Sequence, residues 1–99
     1  MAFILEYTEE AATQYDKLSK SKGLQVQFKA VKKALRLLGE NPRHQSLNTH
    51  AYESLIGPGN AKVWEAYTQN KTPAAYRIFW CYHPPKKNTI TIIAVTPHP

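Results

Sequence analysis

Apolar and polar positions alternate most clearly over residues 64–82. Trp64 and Ala66 fall on one side of an extended chain, Glu65 and Tyr67 on the other. Gln69, Asn70, Lys71, Thr72 and Pro73 interrupt the pattern and predict a turn. Beyond it, Tyr76, Ile78, Trp80 and Tyr82 share one face, while Arg77, Phe79 and Cys81 share the other. A last apolar run over residues 89–95 leads into Thr96, Pro97 and His98. Three segments rich in aromatic and β-branched residues, split by short polar breaks, predict a three-stranded antiparallel meander. If Trp64 and Trp80 pack inward, Glu65, Tyr67 and Arg77 point the opposite way. His98 then arrives just past the third strand, so a carboxylate, a guanidinium and an imidazole gather on one open face.

Upstream, the period changes. Phe3, Leu5 and Tyr7 alternate with Ala2, Ile4 and Glu6, as in a short strand. Thr8 is a helix N-cap candidate, with Glu9 and Glu10 placed to favour the positive helix end. Ala11, Tyr15 and Leu18 continue at helical spacing until Ser19, Lys20, Ser21, Lys22 and Gly23 make a turn. Leu24, Phe28, Val31, Leu35 and Leu38 then step by four and three, the apolar stripe of a second helix. Lys29, Lys32, Lys33 and Arg36 occupy its other faces, and Asn41 before Pro42 ends it. Residues 43–59 show weak periodicity and read as a long connection carrying Arg43, His44, His50 and Tyr52 towards the meander. One strand, two helices and three strands, without β-α-β alternation, predict a single α+β domain over residues 1–99. The helices are expected on one sheet face.

Composition narrows the class of function. The chain has 99 residues, 42% of them hydrophobic, which suits one modest core. Thirteen Lys and Arg against seven Asp and Glu give a net charge of +6, suited to an anionic partner such as nucleic acid or an acidic protein segment. Cys81 is the only cysteine, so an intramolecular disulfide and a thiolate metal cluster are both excluded. No segment approaches a membrane span, and the first residues lack the basic start of a signal peptide. A cytoplasmic protein without a membrane partner is expected. The four histidines share no ligand-type spacing, so neither a metal site nor a cofactor is expected.

Several short motifs resemble one family. They are Asn41-Pro42-Arg43-His44, Leu47 to His50 in Leu-Asn-Thr-His, Val63-Trp64-Glu65-Ala66-Tyr67, the Tyr76-Arg77-Ile78-Phe79-Trp80 core of the middle strand, and the closing Thr96-Pro97-His98. With the order of elements, they resemble the RelE/ParE toxins of bacterial type II toxin–antitoxin systems, over the whole chain. The resemblance implies a compact α+β fold whose concave sheet face meets its target. It implies a toxin held inactive by a cognate antitoxin. RelE-like members cut messenger RNA on the ribosome without a metal; ParE-like members inhibit DNA gyrase instead. Arg77 matches the middle-strand arginine that contacts the scissile phosphate, and His98 matches the arginine or histidine after the last strand. Glu65 and Tyr67 stand where the best-known RelE branch has lysines. The chain is thus closer to a branch using glutamate, arginine and histidine. Its last residue, Pro99, comes before the C-terminal helix found in many relatives.

Metal-independent RNA cleavage needs a base for the 2′-hydroxyl, positive charge at phosphorus and an acid for the leaving oxygen. On the resemblance, Glu65 is the expected base, Arg77 the two-point phosphate clamp and His98 the acid. Tyr67 or Tyr82 would stack on a base, and Arg43, His50, Lys33 and Arg36 would hold RNA. The leading expectation is a ribosome-dependent endoribonuclease that blocks translation. Gyrase inhibition and a non-catalytic basic module remain alternatives.

Overall fold

The computed structural model describes residues 2–69, 74–83 and 86–97. Its elements run β1 (Ile4–Tyr7), α1 (Glu9–Ser19), α2 (Gln25–Glu40), β2 (His50–Ile56), β3 (Lys62–Tyr67), β4 (Tyr76–Tyr82) and β5 (Thr89–Pro97). The strands form one five-stranded sheet in the order β1-β5-β4-β3-β2. β1 runs parallel to β5, and every other neighbouring pair is antiparallel. The fold is α+β, with both helices on one sheet face.

The alternation in β3 and β4 sets the two faces. Trp64 lies opposite Trp80 and Ala66 opposite Ile78, so large apolar groups line the helix side. Val31, Leu35 and Leu38 of α2, with Ala11 and Leu18 of α1, pack into one core with Ile78, Trp80, Ile90, Ile92 and Val95. Trp80 is fully buried, its ring stacked at 6.1 Å on Trp64 and edge-on to Tyr82 at 5.0 Å. Tyr82 therefore belongs to the core beneath the helices, which removes it as a base-stacking group on the open face. Val63, Phe79 and Ala94 form a second, smaller cluster on the other side of the sheet, with Tyr52 and Ile93 against it.

α1 also completes the edge of β5. β1 pairs with β5 only as far as Ile92, and a bulge follows between the Phe79–Ala94 and Trp80–Ile92 pairs. There, Thr8 donates its hydroxyl to the Ile93 carbonyl at 2.8 Å while accepting from the Ala11 N–H as the N-cap of α1. The Val95 N–H donates to the Gln14 side chain at 2.7 Å. Two side chains of one helix thus take the ladder groups that β1 leaves behind.

The sequence pattern predicts three strands after the helices, and the structure has four. Residues 50–56, read from sequence as part of a connection, form the edge strand β2. Ala51 lies opposite Trp64 and Ile56 opposite Lys62, so β2 uses five steps where β3 uses two. That extra length bulges, and most of the strand is exposed. A bulged strand at a sheet edge need not alternate, because neither of its faces is fully covered. The predicted turn at residues 70–73 lies outside the described residues. No helix among the described residues is long and apolar enough to cross a membrane.

Candidate functional site

Glu65 is the centre of the helix-free face. Its residue is 3% exposed, and its carboxylate meets two cationic or potentially cationic groups. His50 lies directly across from it on β2, and His50 Nε2 sits 2.6 Å from Oε1. Arg77 is a diagonal neighbour on β4, opposite Tyr67, and its Nη1 donates to Oε2 at 2.9 Å. Three strands thus each supply one member of a His50–Glu65–Arg77 chain. Burying a carboxylate is costly unless it is paired, and here both oxygens are engaged.

Aromatic rings hold the two partners. The Arg77 guanidinium lies 4.7 Å from the Phe79 ring centroid and 5.5 Å from that of Tyr52. Its side chain is 17% exposed, and its Nε is buried with no acceptor among the described residues. The His50 ring packs on Tyr67 at 5.2 Å. Its Nδ1 lies 2.8 Å from the carbonyl oxygen of Asn48, a residue in the left-handed region at φ 47°. Gly57 closes the far end of this face. A Cβ there would stand 3.2 Å from the Ala61 carbonyl oxygen, close enough to need some give, and 3.4 Å from Cys81 Sγ. Burial pushes the Cys81 thiol above its ordinary value.

Of the residues singled out from sequence, Glu65, Arg77, His50 and Tyr67 come together. His98 lies outside the described residues. Arg43 does not join the carboxylate: its guanidinium stands 4.6 Å from the Trp64 ring, with Lys62 Nζ 4.8 Å from the same ring. Trp64 faces the helix side, so this pair of cations forms a separate basic patch. Lys33 lines a cleft of about 160 Å³ between α2 and the end of β3, beside Ser46, Tyr67 and Gln69. Arg36 is exposed and paired with Glu40 at 2.9 Å, one helical turn away. Sequence reasoning placed His50 among RNA contacts and missed its bond to Glu65. It also missed Phe79 and Tyr52 as the platform under Arg77. The odd-numbered face of β4 was the available signal for Phe79.

Along its whole length the chain is similar to the solved structure of the YoeB dimer from Staphylococcus aureus. The TM-score is 0.68 at 10% identity, with both chains covered in full. The likeness is one of fold. No protein-family model matches the chain, and no curated protein does. Among the described residues, no group of three His, Cys, Asp or Glu side chains is placed to hold a metal ion.

Proposed function

We propose that this chain is the toxin of a type II toxin–antitoxin pair and cuts messenger RNA on the ribosome. The observation that carries the reading is the buried Glu65 carboxylate clasped between His50 and Arg77 on the face the helices leave open. A scaffold strand has no need to bury a carboxylate; an active site uses one to fix an imidazole and a guanidinium. A guanidinium set on aromatic rings and oriented by a carboxylate suits the planar, two-point contact that a phosphodiester offers. The resemblance in sequence to RelE-like toxins and the shared fold with YoeB support the same reading.

The reaction needs no metal or cofactor in this proposal. Charge on phosphorus is met by Arg77, and proton transfer by side chains of the same face. His98 remains a proposed member on the strength of its place after β5. The cognate antitoxin is proposed to cover the basic, aromatic surface with an acidic and apolar segment. Expression in a bacterial host tests the whole reading. Growth arrest with messenger RNA cut inside ribosome-protected regions supports it, as does rescue by the coexpressed antitoxin. Arrest with intact messenger RNA and an induced DNA damage response would favour gyrase inhibition instead. A harmless chain would favour the non-catalytic basic module.

A further inference from the structure

We propose that the Tyr52 hydroxyl is a second hydrogen-bond donor to the phosphate being cut, beside Arg77; this rests on the nuclease reading above. Tyr52 belongs to β2 at the sheet edge, yet its ring meets two residues of β4, with β3 between the two strands. The ring centroid stands 4.7 Å from that of Phe79 and 5.5 Å from the Arg77 guanidinium carbon. The ring therefore reaches across β3 and carries its phenol end from the edge towards the middle of the open face. Val63 of β3 is buried in the same small cluster.

The fold uses the ring and leaves the hydroxyl over. A phenylalanine would fill the same space against Phe79 and offer Arg77 the same π-face. Tyr52 is half-buried, and its hydroxyl is open to solvent and forms no hydrogen bond among the described residues. Its neighbours are already committed. Both Glu65 oxygens are engaged, by His50 and Arg77, and both His50 ring nitrogens face acceptors. Arg77 donates from Nη1 to Glu65, and its Nε is buried. A phosphate thus meets the guanidinium at its Nη ends, with room for a further donor alongside.

Cleavage builds negative charge on both non-bridging oxygens of the phosphate, and donors fixed in advance stabilise it most. A guanidinium already turned to Glu65 answers part of that charge. The 5.5 Å between ring centroid and guanidinium is a gap that one phosphoryl group can bridge. Arg77 then donates to one oxygen and the Tyr52 O–H to the other. The ring that orients the guanidinium also brings the second donor to it.

The test is single-turnover cleavage of a message bound to bacterial ribosomes, by wild type and Tyr52→Phe. The variant keeps the ring and lacks only the hydroxyl. It is expected to cleave about 10- to 100-fold more slowly, the effect of losing one hydrogen bond to a charged group. Ribosome binding and the thermal midpoint should match wild type, since the hydroxyl has no partner among the described residues. The same pair of proteins is then given messages with sulfur in place of either non-bridging oxygen at the cut. Sulfur is a poor acceptor, so one of the two sulfur messages should erase most of the difference between wild type and Tyr52→Phe. A wild-type rate in Tyr52→Phe overturns the assignment and leaves the nuclease reading standing. So does a slow Tyr52→Phe whose deficit is equal on the oxygen message and both sulfur messages, because the hydroxyl then acts without touching the phosphate. Wild type that binds ribosomes and leaves the message whole overturns the nuclease reading, and this assignment with it.

Discussion

Glu65 decides how the open face answers substitution, because it is buried and each partner satisfies one of its oxygens. Removing a partner leaves a charge in a place water cannot reach. Arg77→Ala is therefore expected to cost about 3–5 kcal/mol in urea unfolding, besides any loss of cleavage. Glu65→Ala combined with Arg77→Ala should cost less than the two changes summed, by about 0.5–3 kcal/mol. Additive values would show that the pair stands apart energetically. Cys81 gives a second residue-scale expectation. Its thiol is pushed up by burial, and the Tyr7 phenol is raised by burial first and by Tyr15 second. At alkaline pH the unfolded chain sheds these protons before the folded one does. Their contribution is complete at neutral pH and falls as pH rises past the ordinary thiol and phenol ranges. Native protein should accordingly resist thiol alkylation at pH 8 and react once unfolded. Fast native alkylation would contradict the burial. The shared face of Glu65 and Arg77 is legible in sequence, since two alternating strands with tryptophans inward leave only one arrangement. The His50–Glu65 bond is not legible. It depends on the register across the β2 bulge, which residue spacing does not encode.

Among the elements, α2 and β2 stand at opposite ends of legibility for one physical reason. The apolar stripe of α2 faces a covered sheet, so every third or fourth residue must be apolar, and Val31 and Leu38 are fully buried. β2 is an edge strand with Leu55 and Ile56 exposed, so no periodic demand acts on it. Leu38→Ala should cost about 2–5 kcal/mol through the cavity left in the core it shares with Ile78 and Trp80. A loss under 1 kcal/mol would mean that the helix can slide to fill the space. The seam between α1 and β5 is equally testable. Gln14→Leu preserves bulk but leaves the Val95 N–H without its acceptor, for about 1–3 kcal/mol. No pattern of hydrophobic positions announces this role, because Gln14 reads as one more polar residue on a helix surface.

At the scale of the molecule, the +6 charge is arranged as separate patches, not a single stripe. Lys29, Lys32 and Lys33 lie on α2, while Arg43 and Lys62 stand over Trp64 at the β3 edge. The exposed pair of Arg36 with Glu40 is a solvated contact of small worth, and it already offsets the arginine's charge. Under the nuclease reading, the Trp64 patch is the stronger holder of RNA phosphates, since two cations share one ring there and neither meets an acidic side chain among the described residues. Binding to a short single-stranded RNA should weaken with salt in proportion to the phosphates neutralised, at about 0.7 in logarithmic slope for each. Arg43→Gln with Lys62→Gln should then reduce that slope by about 1.4, while Arg36→Gln alone changes it by less than one contact's worth, about 0.7. Both effects are read from binding titrations across a range of salt. Equal losses from the two patches would show diffuse attraction by net charge alone. An unchanged slope after the double substitution would move the RNA path away from Trp64 and onto the α2 lysines or the open face.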